Sequence, residues 1–198
     1  MAVATTTGER ILDAAIQSFG GRGYEASSLD ALAAGLGVRK QTILYWFPSK
    51  EALLAAAVDR AAQQLASALE DALVTAGEGW PRVEAVVRSV FRLSVRRPEL
   101  LGLVREVSRL GPPASTRLLH AFEPLMERAT DFLRAEMAAG RMREQEPRLV
   151  LLAAYSAVIG MVTEVEVLRA LGFDLTAREL VRRRDELLEF LRAALDAR

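Results

Sequence analysis

Cysteine is missing from this 198-residue chain, and histidine occurs once, as His120. No thiolate is on hand for covalent chemistry, a disulfide framework or a thiolate zinc site, and one imidazole cannot make a paired-histidine metal site. The patterns H-E-x-x-H and G-x-S-x-G are absent as well, so neither an enzyme nor a cofactor is expected. Gly20-Gly21-Arg22-Gly23 does not fill the gap: no strand precedes it and it lacks phosphate-loop spacing, so it reads as a helix C-cap. The longest uncharged run, Leu149 to Thr163, is too short to cross a bilayer and reads as a buried helix. With no secretory hydrophobic region, these absences point to a reducing cytoplasm and to no membrane partner. Charge of one sign is lacking too, since 26 basic residues balance 26 acidic ones. Over residues 1–50 the five basic residues barely exceed the four acidic ones, so any basic footprint must be local. Both lysines of the chain, Lys40 and Lys50, lie in one short segment there.

What the chain has is helical periodicity. At 51% hydrophobic it can bury a large core, and no alternating strand pattern, internal repeat or low-complexity tract appears. Thr6 and Glu9 make a capping box for a first helix with the stripe Ile11, Leu12, Ala15, Ile16 and Phe19. Ser49 caps a long helix running to about Ala76, followed by helices over about 82–97 and from Pro98 to Gly111. The next helix contains Pro124 and should kink or break near His120 to Glu123. A final pair runs over about 148–171 and 176–197. The expected fold is all-α, about nine helices, with a three-helix domain over residues 1–50 and a larger helical domain over 51–198.

Between Ser28 and Lys50 the pattern is more specific. Leu29, Leu32, Ala33 and Leu36 form one apolar stripe behind the N-cap Ser28, and Gly37 sits where the chain must turn sharply. After the turn, Ile43, Trp46 and Phe47 can point inward while Arg39, Lys40, Gln41, Thr42 and Tyr45 stay available, until Pro48 ends the helix. One bracing helix, one glycine turn and one helix displaying hydrogen-bonding side chains is the layout of a helix-turn-helix, whose second helix enters a DNA major groove.

From Thr7 to about Arg60 the sequence resembles the amino-terminal domain of the tetracycline-repressor-like (TetR) regulators. The resemblance rests on Gly23-Tyr24 at the end of the opening helix, Leu32-Ala33, Leu36-Gly37-Val38, Thr42-Ile43 and Phe47-Pro48-Ser49-Lys50-Glu51. It covers about the first third of the chain. Two positions depart from the family's pattern: Arg39 stands where a small residue is usual, and Leu44 where a tyrosine is usual, with Tyr45 immediately after. The base preference therefore does not transfer from the family. Arg39, Lys40 and Gln41 are expected at base edges, since arginine pairs bidentately with guanine and glutamine with adenine. Leu44 either packs or touches a thymine methyl, and Ser27, Thr42, Tyr45 and Lys50 are expected at phosphates.

The last two helices suggest self-association. Ala153, Ala157 and Gly160 allow close approach of another helix, while Leu180, Leu187, Leu191 and Leu195 repeat every three to four residues, with Arg182, Arg183, Arg184, Asp185 and Glu186 mostly on the outer face. Paired with a symmetry mate they would form a four-helix interface, as the resemblance also implies; the plainer alternative is that both stripes pack within one subunit. Ala153, Ala157, Gly160, Leu187 and Leu191 are the interface candidates.

A cavity for a small molecule is expected in the larger domain. Phe91, Val95, Met126, Tyr155 and Met161 are candidate lining residues, beside Leu103, Val107 and Phe122. Arg105, Arg109 and His120 are possible polar anchors, with Glu106 nearby; most such residues are ordinary packing or surface charge. Together these readings predict a homodimeric, ligand-responsive transcriptional regulator, most simply a repressor, holding a near-palindromic double-stranded DNA operator. A hydrophobic or amphipathic effector would release it by tilting the long helix that starts at Ser49. Two other readings remain: an all-helical small-molecule-binding protein whose helix-turn-helix is only a packed hairpin, and a nonspecific architectural DNA binder.

Overall fold

Thr6 and Glu9 close a reciprocal capping box: the Glu9 N–H donates to Thr6 Oγ1 at 3.2 Å and the Thr6 N–H to Glu9 Oε2 at 2.8 Å. The helix they start, α1 (Thr7–Arg22), ends at Gly23, whose φ of 89° lies in the region that favours glycine. The structure, a computed structural model, describes residues 6–197; the outermost residues of the two expected domains, 1–5 and 198, lie outside the described residues. After α1 come α2 (Leu29–Leu36), α3 (Lys40–Trp46), α4 (Lys50–Val74), α5 (Trp80–Arg96) and α6 (Pro98–Leu110). The chain continues with α7 (Ala114–Ala138), α8 (Pro147–Thr163), α9 (Val165–Ala170) and α10 (Ala177–Leu195). The expected all-helical class holds, with ten helices among the described residues rather than about nine.

Two helix boundaries differ from expectation. Of the expected kink or break at Pro124 the break is absent, since the helix is continuous through it as α7. The expected single helix over 148–171 is interrupted instead. At Glu164 the backbone leaves the helical region (φ −85°, ψ 61°), ending α8 and starting the short α9.

The described residues form two compact units. The first comprises the chain up to Leu65 together with Arg97–Phe122. It therefore departs from a boundary at residue 50: it takes in the first part of α4, and α6, which packs more extensively on α1 than any other pair of helices packs. Ile11, Ala15, Ile16 and Phe19 of α1 are buried, as are Leu100, Leu103 and Val107 of α6. Their backbones touch at two glycines. A β-carbon on Gly20 would lie 2.0 Å from the Glu99 carbonyl oxygen, and one on Gly102 would lie 2.2 Å from the Gly20 carbonyl oxygen. Neither glycine is a cap; Gly23 caps α1 and Gly20 is a contact.

The second unit comprises Ala66–Arg96 and Glu123–Arg198. Its core joins Val87 and Phe91 of α5, Val158 of α8, and Leu187, Leu188 and Leu191 of α10, with Ala154, Ala157 and Met161 packed against them. The C-terminal turn of α10 is tied to the segment after α7: the Arg143 N–H donates to Leu195 O at 2.8 Å and Gln145 Nε2 to Ala194 O at 3.2 Å. Arg183, expected on the outer face of α10, is buried and donates through Nη1 to Met161 O at 3.0 Å. This carbonyl lies in the last turn of α8 and offsets part of the guanidinium's desolvation, while Arg183 Nε is buried without a hydrogen-bond partner.

Gly20→Ala and Gly102→Ala are each expected to lower the unfolding free energy by about 1–3 kcal/mol, because the helices must separate to admit a methyl group. Thermal or urea unfolding checks this against Gly21→Ala, whose added methyl meets nothing within 4 Å and is expected to be neutral or stabilising.

Candidate nucleic-acid interface

Ser28 accepts from the Ala31 N–H at 3.1 Å and starts α2, whose Leu29, Leu32 and Ala33 are buried. Gly37 then turns the chain in the left-handed region (φ 67°, ψ 31°), and the Val38 N–H returns to Ala33 O at 3.0 Å. This bond shares the Ala33 carbonyl with the Gly37 N–H and ties the turn to the end of α2. α3 is held from beneath by Ile43, which is 0% exposed. Ser49 caps α4, accepting from the Ala52 N–H at 3.1 Å.

The face of α3 away from Ile43 is open. Arg39 and Gln41 are exposed, Lys40, Thr42 and Leu44 are half-buried, and Tyr45 is 83% exposed. Phe47 is half-buried, but Trp46, expected inside, is 45% exposed. Its indole packs against α1 so closely that a β-carbon on Gly8 would lie 2.8 Å from it, and it meets the Tyr45 ring at near right angles, 5.9 Å between ring centres. Ile43 and Trp46, three residues apart, share one side of α3; Ile43 is fully covered, while the larger indole, at the last position of the helix, is covered only in part.

Two cations flank this face. Lys40 Nζ pairs with Asp30 at 2.9 Å, with both side chains solvated. Lys50 Nζ lies 4.1 Å from the centre of the Tyr24 ring. Tyr24 donates its hydroxyl to Glu51 Oε1 at 3.2 Å and meets Phe19 edge-on at 5.4 Å. Burial, with the Glu51 carboxylate adding to it, pushes the Tyr24 phenol up to about 12, so it stays a protonated donor. Glu51 is held below the usual carboxylate range, first by its own N–H and then by the hydroxyls of Ser49 and Tyr24.

Ser27 is not part of the open face. It is 3% exposed, its hydroxyl donates to Gly23 O at 2.8 Å, and it lies 2.7 Å from the Ser18 hydroxyl, which also accepts from Arg22. The polar residue after the α1 turn is occupied inside the unit, so the expected phosphate contact there is replaced by a structural one.

The expected ligand residues are spread over both compact units. Arg105, Arg109 and His120 belong to the first and are exposed; Arg109 is paired with Glu106 through two hydrogen bonds of 2.9 and 3.0 Å. In the second, Phe91 is buried and Met161 packs against its core, while Val95, Met126 and Tyr155 are exposed. Of the expected interface residues, Leu187 and Leu191 are core residues of the second unit, because α10 turns its leucine stripe toward α5 and α8. Ala153 is exposed, Ala157 is half-buried against the core, and Gly160 has open space where a β-carbon would be. The sequence reading missed Leu149, Leu152, Val181 and Phe190, large apolar side chains that this unit leaves exposed.

Residues 11–57 match the sequence model of the bacterial regulatory proteins of the tetR family. The match runs from α1 into the first part of α4. Beyond it the likeness is structural. A TetR transcriptional regulator from Chloroflexus aurantiacus superposes with a TM-score of 0.78 at 21% identity, covering 97% of each chain. FadR of Bacillus subtilis, a transcriptional regulator in complex with stearoyl-CoA, superposes at 0.76 and 19% identity over 93% of this chain and 97% of its own. The ketosteroid transcriptional regulator KstR2 of Mycobacterium tuberculosis gives 0.72 at 15% identity over 99% and 98%. At such identities the superpositions establish that the TetR-regulator fold extends along nearly the whole chain. Among curated proteins nothing matches. No described helix is long and apolar enough to cross a membrane.

Ser27→Ala is expected to cost about 1–3 kcal/mol of stability, since it leaves the buried Ser18 hydroxyl and Gly23 carbonyl short of a partner. The salt dependence of duplex binding should be unchanged in this variant. A flattened slope with unaltered unfolding would return Ser27 to the phosphate contacts.

Proposed function

We propose that the protein is a ligand-responsive DNA-binding transcriptional regulator, a repressor in its simplest form, acting in the cytoplasm as a homodimer. The observation that carries this reading is the exposed face of α3: Arg39, Gln41 and Tyr45 project into solvent from a helix fixed by the buried Ile43 and braced by α2. An apolar core anchor beneath a row of hydrogen-bonding groups is what a major-groove probe needs. The tetR-family match over residues 11–57 supports the same reading.

In this reading Arg39, Lys40 and Gln41 meet base edges, Leu44 lies beside them, and Thr42, Tyr45 and Lys50 meet phosphates that fix register. Two such helices spaced by one turn of duplex, roughly 34–36 Å, require two subunits and a near-palindromic operator. Residues 1–50 supply the DNA-binding function and 51–198 the effector-binding and dimerisation functions, whatever the compact units. For the dimer surface we favour the exposed face of α8, where Leu149, Leu152, Ala153 and Gly160 fall at helical spacing, over the core leucines of α10. The stearoyl-CoA bound by FadR supports an amphipathic effector here. Such an effector acts by binding the DNA-free conformation more tightly, with a coupling of about 1–3 kcal/mol.

The test is selection of duplexes from a random pool by the purified protein. Enrichment of a near-palindrome supports the regulator, binding without enrichment supports an architectural role, and no binding supports a small-molecule carrier. On the selected duplex, Arg39→Ala and Gln41→Ala should each lose about 1–3 kcal/mol of discrimination at one base pair, and a uniform loss over all sequences would move that residue to the backbone contacts. Leu152→Asp should convert the dimer to a folded monomer, read as mass in solution; a dimer of unchanged mass would exclude this face.

A further inference from the structure

The carboxylate of Glu106 occupies an unusual place for an acidic residue of a helix. It is mostly buried, with its side chain 12% exposed, and its Oε1 accepts the backbone N–H of Tyr24 at 2.7 Å across 82 positions of sequence. That N–H follows Gly23, whose own N–H returns to Phe19 O, so the end of α1 offers it no helical acceptor. Arg109, one turn further along α6, holds the same carboxylate bidentately, which fixes its direction. Gly23 supplies the turn that presents this N–H: its φ of 89° favours glycine, and the Glu106 carboxylate lies in van der Waals reach of it, 3.4 Å from where a β-carbon would be.

Tyr24, held by its backbone in this way, holds the start of α4 by its side chain. The ring backs edge-on against the buried Phe19, its face supports the Lys50 ammonium and its hydroxyl donates to Glu51. One residue thus connects a carboxylate of α6 to the first turn of α4. All of these groups lie within the first compact unit.

We propose that Glu106 is a positioning residue for DNA binding: clamped by Arg109, it fixes Tyr24, and Tyr24 fixes the Lys50 ammonium where it meets a backbone phosphate. The proposal rests on the DNA-binding reading above and adds to it a residue outside the helix-turn-helix. Lys50 has a long side chain with many rotamers, and a ring face that preselects one of them lowers the ordering cost when the phosphate arrives. Glu106 touches no nucleic acid in this arrangement; it acts through Tyr24.

The experiment measures affinity against salt concentration for the full-length protein on one fixed 30-base-pair duplex, in a cycle of wild type, Glu106→Ala, Lys50→Ala and the double variant. Wild type should show salt-dependent binding, and Lys50→Ala should flatten the slope by about one per subunit. Glu106→Ala should flatten it by a comparable amount, and the double variant should be no flatter than Lys50→Ala alone. Glu106→Gln keeps an acceptor for the Tyr24 N–H and should retain most of the slope; it also serves if the alanine variant does not fold. A Glu106→Ala protein that folds and keeps the wild-type slope overturns the proposal, as does a Glu106→Gln protein that folds and behaves like Lys50→Ala, or a double variant whose losses add. Wild type without salt-dependent binding overturns the DNA-binding reading itself, which separates the two failures.

Discussion

The backbone contact between α1 and α6 is the constraint on which the first compact unit depends. Helices normally stay about 8–10 Å apart because side chains stand between them. Here Gly20 and Gly102 remove those side chains at the crossing, and carbonyl groups of each helix lie where the other's β-carbon would be. Glycine within a helix costs about 1 kcal/mol relative to alanine, so two mid-helix glycines need a compensating gain. The gain is the dry packing of Ile16 and Phe19 near Leu100, Leu103 and Val107, all of them buried. It also sets the reach of Glu106, one turn beyond Gly102, whose carboxylate can meet the Tyr24 N–H only if the two helices approach this closely.

From that crossing the arrangement of the candidate interface follows by short steps. α1 ends at Gly23, the turn carrying Tyr24 and Ser27 folds back on it, and Ser28 launches α2. The Ser27 hydroxyl closes this turn from inside through Gly23 O and Ser18. Gly37 then redirects the chain so that α3 crosses α2 with Ile43 beneath it. Each turn spends a polar group on local backbone satisfaction, and what remains for an external partner is the outer arc of α3 and the first turn of α4.

Much of this was legible in the sequence, and the reasons for the misses are physical. Caps and breakers are local, so Thr6, Ser28, Gly37, Ser49 and Pro98 marked helix ends correctly. The match of residues 11–57 to one family follows the same local signals. Facing direction was harder. Leu187 and Leu191 form a regular stripe that fits equally well against a partner subunit or against α5 and α8, and periodicity alone does not say which surface covers it. Trp46 has the size of a core residue and shares a side of α3 with Ile43, but it stands at the last position of the helix, where its indole is covered only in part. The stretch Gly20 to Gly23 does hold the expected C-cap, at Gly23, but the pairing of Gly20 with Gly102, 82 positions away, is nonlocal and leaves only the weak sign of a glycine inside each helix. Arg183 sits in a run of three arginines that looks like a solvated face, and only the end of α8 gives it a carbonyl, that of Met161, to meet.

The charge balance acquires a meaning from these positions. With 26 charges of each sign the chain has no net attraction for a polyanion, and the ammonium of Lys40 is already engaged by Asp30. A solvated pair of this kind is worth about 0–1 kcal/mol, whereas a well-placed base contact contributes about 1–3 kcal/mol. A duplex offering correctly placed acceptors can therefore displace Asp30, while one offering only phosphates gains less from doing so. On a DNA-binding surface, near-neutrality with local pairing weakens indiscriminate binding more than it weakens a matched site. In the proposed reading, selectivity for sequence rests on base contacts such as those of Arg39 and Gln41 rather than on net positive charge.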